Sequence, residues 1–234
     1  MTTADDRPPV PPALRAAVAQ DLRPVTPLAP PRLRVFSVVP FALLLLVAAV
    51  IVFGVRADAP SVGPVLTWGA STLQMMLGLT LVALALREAV PGTTLSRRAL
   101  GLAIGTAAIA VMTITWMTWS SSSTRLAPPA LGYVWRVCFG ATILSALPAL
   151  AVSGWLVARA FPLRPRIAGA LYGLGSGLMA DAGWRLFCHF SNPGHVFGAH
   201  TTAVVVTGAI GVAVASLWPA LESRRETHDA DIRL

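Results

Sequence analysis

Six long apolar stretches, at residues 35–55, 62–86, 99–119, 131–158, 167–187 and 197–218, constrain this chain more than any other feature. The shortest has 21 residues, and a bilayer core about 30 Å thick needs about 20 at 1.5 Å per residue. Composition agrees. Only 12% of residues are charged and 55% are hydrophobic, with a mean hydropathy of +0.69, against roughly 25% charged in soluble domains. A chain so poor in charge cannot clothe a globular surface, which disfavours a soluble enzyme, a secreted scaffold or a disordered tail. Two cysteines make no disulfide framework and no four-thiolate zinc site. The expected fold is an all-α membrane protein with six transmembrane helices in one bundle. Residues 1–34 precede the bundle and residues 219–234 follow it as a polar tail. The first span begins too late for a cleaved signal peptide and reads as a retained anchor.

Arginine placement sets the expected orientation. All 18 basic residues are arginine. Fourteen lie before the first span, in the second and fourth connections, or in the tail, whereas the odd connections hold only Arg56 and Arg125. The positive-inside bias then puts both termini in the cytoplasm. The net charge of +8 is therefore a sorting signal, and no direct nucleic-acid partner is expected. Short connections imply that successive helices pack as antiparallel neighbours.

Within the spans, Gly169, Gly173, Gly177, Asp181 and Arg185 recur every four residues and share one face of span five. Glycines at that spacing admit a close neighbour. Asp181 and Arg185 read as an ion pair that lessens the cost of each charge in hydrocarbon. Span four, with 28 residues, exceeds the bilayer unless Arg136 snorkels at the outer interface. That places Cys138 just under the outer surface, at about the depth of Cys188 at the end of span five. Thr142, Ser145 and Ala149 continue the Cys138 face as a small, partly polar packing surface. Adjacent spans four and five would bring the two sulfurs within disulfide range, with α-carbons about 4.4–6.8 Å apart. The connection after Cys188 is a Ser-Asn-Pro-Gly turn carrying His189 and His195, with His200 following. Thiolate and imidazole together suit zinc, copper or cadmium, although the spacing matches no rigid motif.

Ahead of the spans, two proline clusters bracket residues 13–23, where Leu14, Val18 and Leu22 form a narrow apolar stripe. A helix of this length is unstable alone in water and orders on a partner groove or a membrane surface. The absence of aromatic residues weakens the membrane alternative.

The short helix ending Asp21-Leu22-Arg23-Pro24-Val25, the Pro/Arg-rich lead into six spans, the cysteines in span four and at the end of span five, and the following His195-Val196 and His200 together resemble the NrsF-like membrane anti-sigma factors. The resemblance implies a bacterial inner-membrane regulator, not an enzyme. Its cytoplasmic N-terminal segment would hold an extracytoplasmic-function sigma factor inactive, with Leu14, Arg15, Val18, Asp21, Leu22 and Arg23 touching that partner. It further implies that Cys138 and Cys188 sense metal or oxidative stress, with a transition or heavy metal ion as possible ligand. Two other classes fit the bare residues. A small transporter would line its path with Asp181, Arg185 and Arg136, but no inverted repeat or broken-helix pair accompanies them. A membrane thiol oxidoreductase would use Cys138 and Cys188, although catalytic dithiols are usually Cys-X-X-Cys.

Overall fold

The computed structural model describes residues 10–21, 27–123, 128–129 and 132–231. Every regular element among them is helical. Helix α1 spans Pro12–Asp21. The long helices are α2 (Pro31–Phe53), α3 (Ala59–Glu88), α4 (Arg97–Ser121), α5 (Tyr133–Ala158), α6 (Pro165–Phe187) and α7 (residues 193–231). Helix α7 continues through the stretch read as a polar tail.

Local sequence explains the boundaries. Gly54, at φ 80°, ends α2 in a conformation that side chains resist. The Ser96 hydroxyl caps α4 by accepting from the Ala99 amide at 3.2 Å. Proline occupies the first turn of α6, where its missing N–H costs nothing. Val65–Gly69 in α3 and Val196–Thr201 in α7 are π-helical turns.

Among the described residues, five helices are long and apolar enough to cross a membrane: α2, α3, α4, α5 and the Pro193–Leu217 part of α7. Helix α6, expected as a further span, falls outside that set, and packing supplies the reason. It stands at the centre, against α7, α3, α5 and α2, and nearly everything from Ala168 to Gly183 is buried. A helix wrapped in protein has no need of lipid-compatible side chains and is instead built from small residues. A β-carbon on Gly173 would lie 2.6 Å from the Thr207 carbonyl oxygen, and one on Gly175 would lie 2.6 Å from that of Gly78. The close neighbours of α6 along its glycines are thus α7 on one side and α3 on the other. The apolar belt that composition predicts faces outward from the surrounding helices, as with Ile51, Leu102, Ile109 and Leu144.

Polar clamps close both ends of the bundle. At one end, Arg164 donates to Glu88 at 2.5 Å and to the Leu95 carbonyl at 2.8 Å, while Glu88 accepts from the Leu95 amide at 2.7 Å. At the other, Arg56 donates to both oxygens of Asp58, at 2.5 and 2.8 Å, and also to the Ser191 hydroxyl, while Ser122 donates to Asp58 at 2.6 Å. The second clamp ties together the connections following α2, α4 and α6. It also neutralises Arg56, one of the two arginines that the charge asymmetry left on this side.

Candidate functional site

The second clamp roofs a small buried cluster built from three elements. Cys138 lies in the second turn of α5, and Cys188 caps the end of α6, its amide donating to the Trp184 carbonyl at 2.8 Å. His195 closes the short turn Pro193–His195, which is fixed by the Asn192 side chain accepting from the Gly194 amide at 2.9 Å. His200 lies in the π-helical turn that follows. In a regular α-helix, residues five apart are about 1.4 turns apart and diverge. The i→i+5 pattern of a π-helix brings them toward alignment. The His195 and His200 rings accordingly sit edge to face, with centroids 5.1 Å apart.

One potential ligand atom from each of Cys138, Cys188, His195 and His200 lies within 4.8 Å of all the others, and all four residues are buried. Both cysteines are free thiols. The Cys188 sulfur is 3.6 Å from His195 Nε2. Val134, Trp135, Phe139 and Phe190 wall the sulfurs with apolar surface. The cluster still carries unmet hydrogen-bonding capacity. Among the described residues, His195 Nδ1 and His200 Nε2 are buried without a hydrogen-bond partner, which is rare enough in folded interiors to require an explanation. Two sulfurs and two imidazole nitrogens converging on one point form the donor set that suits zinc, cadmium or copper(I). The residues present therefore fit a metal ion.

Behind His200 stands Asp181, 1% exposed. Its Oδ1 is 2.7 Å from His200 Nδ1, and its Oδ2 accepts from Gln74 Nε2 at 2.6 Å and from Arg185 Nε at 3.2 Å. Arg185 also donates to the Thr115 hydroxyl at 2.9 Å. The carboxylate thus joins α3, α6 and α7 directly and α4 through Arg185. A cavity of about 10 Å³, lined in part by Arg56, Arg185, Cys188 and His200, has room for about one water beside the cluster.

The residues singled out from sequence separate clearly. Cys138, Cys188, His195 and His200 come together. His189 does not join them: its ring packs on Phe190 at 4.2 Å. Asp181 and Arg185 pair as their spacing indicates. Arg136 is exposed on α5. Leu14, Arg15 and Val18 are exposed on α1, and Asp21 ends that helix, while Leu22 and Arg23 lie outside the described residues. The small face following Cys138 packs inward, with Thr142 and Ala149 buried and Ser145 accepting from Trp184 Nε1 at 2.9 Å. Sequence reasoning missed Gln74 and Thr115. The one available signal was a glutamine in the middle of an apolar span, which demands a partner.

No curated protein and no solved structure matches the chain. A family model does match, that of NrsF, described as negative regulator of sigma F, over residues 18–218. That match takes in α2 to α6 and α7 as far as residue 218, with all four cluster residues, and the chain belongs to the NrsF family of negative regulators of sigma factors.

Proposed function

We propose that this protein is a bacterial inner-membrane anti-sigma factor that crosses the bilayer six times with both termini in the cytoplasm. It sequesters an extracytoplasmic-function sigma factor through the segment around α1 and releases it on a metal or oxidative signal received at Cys138 and Cys188. Family membership supports a sigma-factor partner. The arginine asymmetry supports the orientation, and the central position of α6 supports its crossing inside the bundle. Leu14 and Val18, 55% and 53% exposed on α1, supply an exposed apolar stripe for docking.

The observation that carries the sensing half is the buried convergence of two thiols and two imidazoles within 4.8 Å. Two signals act on such a set. A divalent ion displaces the thiol protons and is held by two thiolates and two neutral imidazoles, releasing two protons. Alternatively, hydrogen peroxide oxidises the pair: one S–S bond forms, the O–O bond breaks, and two waters leave with the thiol protons. Either event draws α5 and α6 together at one end of the bundle.

The test uses membranes containing the full chain and its sigma factor. The sigma factor is expected to sediment with the membranes and to move to the soluble fraction on addition of cadmium, zinc or peroxide. A Cys138→Ser, Cys188→Ser double variant should retain it throughout. Undiminished release from that variant would remove the thiols from the mechanism.

A further inference from the structure

Asp181 has more partners than a structural ion pair requires. Arg185 alone would neutralise it, yet its other oxygen faces His200 Nδ1 at 2.7 Å, and Gln74, fully buried, adds a hydrogen bond at 2.6 Å. The His200 contact leaves Nε2 as that ring's remaining ligand atom, and Nε2 is buried without a hydrogen-bond partner among the described residues, on a ring that belongs to the thiol cluster. A carboxylate behind a histidine fixes which ring nitrogen carries the proton and turns the opposite lone pair toward an ion.

We propose that Asp181, itself held by Gln74 and Arg185, is the positioning residue of a transition-metal site formed by Cys138, Cys188, His195 and His200. It holds His200 with Nδ1 protonated so that Nε2 is presented to the ion. The inference rests on the ion-binding reading above and adds a residue two helical turns deeper than the thiols. Charge favours it as well. A divalent ion with two thiolates is neutral, and Asp181 with Arg185 is neutral, so the loaded site puts no net charge into the low-dielectric interior. The hydrogen bonds from Gln74 and Arg185 to Asp181, and from Arg185 to Thr115, also give α3 and α4 a direct connection to the occupied site.

The experiment titrates the full chain, reduced and reconstituted in nanodiscs, with cobalt(II). It follows the ligand-field and thiolate-to-cobalt charge-transfer bands and measures affinity by chelator competition. The wild type is expected to give a tetrahedral spectrum with both thiolates bound. Asp181→Asn is expected to bind about 10–100-fold more weakly, with altered ligand-field bands and the thiolate bands retained at saturation. The double variant Asp181→Asn, Arg185→Gln removes both charges together. It should restore a folded, monodisperse protein without restoring affinity, which separates positioning from simple charge balance. Where neither Asp181 variant folds, Gln74→Leu decides, since it keeps both charges and loosens only the carboxylate, and a several-fold loss is expected. Wild-type affinity and spectrum in a folded Asp181 variant, or in Gln74→Leu where it decides, would overturn the positioning role alone. A wild-type protein that binds no cobalt would overturn the ion site and this inference together.

Discussion

His195 and His200 differ from His189 in what they face. The first two meet the thiols and each carries a nitrogen with no hydrogen-bond partner among the described residues, while the third packs at a tilt on Phe190. His189→Ala should therefore bind cobalt as the wild type does. His195→Ala should lose at least the roughly tenfold that follows removal of an outer-shell partner, measured by the same chelator competition. Asp58 offers a second residue-scale expectation. Burial favours its protonated form, but the hydrogen bonds from Arg56 and Ser122 and the Arg56 charge outweigh that, so its pKa lies below the ordinary carboxylate value. A lowered carboxylate pKa stabilises the fold at pH above the unfolded value, about 3.9, and that contribution disappears as pH falls through the folded one. The thermal midpoint of Asp58→Asn in nanodiscs should consequently lie below wild type at neutral pH, with the gap narrowing below about pH 4. A gap that stays constant into acid would show that the ionised carboxylate contributes nothing to the clamp.

At the scale of elements, the seam between α6 and α7 and the outward face of α4 respond oppositely to the same change. Gly173 has backbone of α7 in the space that a methyl group would need. Gly173→Ala should therefore destabilise the bundle by about 1–3 kcal/mol through overpacking. Among the described residues, nothing lies within 4 Å of a β-carbon on Gly105 in α4, so Gly105→Ala should be neutral or stabilising by up to about 1 kcal/mol. Reversible unfolding of the two variants in bicelles checks both. Glycine spacing in α6 was readable directly from residues 169, 173 and 177, because close helix approach needs that period. The π-helical turn carrying His200 was not, since no local residue pattern encodes an i→i+5 register. It is stabilised where tertiary contacts, here the Asp181 carboxylate and the thiol cluster, reward the changed direction of the side chains.

For the whole molecule, docking and sensing belong to different parts of the chain and should separate by mutation. Leu14→Asp with Val18→Asp should leave the sigma factor in the soluble fraction while cobalt binding by the full chain is unchanged. Cys138→Ser with Cys188→Ser should do the reverse, holding the sigma factor on membranes with or without the signal. A docking variant that lost ion binding would mean that the two functions share one folded unit.

Sequence alone determined the all-helical apolar architecture, because so many long apolar runs leave the chain little else to form. It also marked the two cysteines and the loop histidines as residues of chemical interest, since thiols and imidazoles are scarce in such a composition. Tertiary structure decided which of them meet. Whether a histidine faces a sulfur depends on helix rotation, on one widened turn and on a carboxylate with a glutamine from another helix behind it. Those are long-range packing relations that a one-dimensional pattern does not carry.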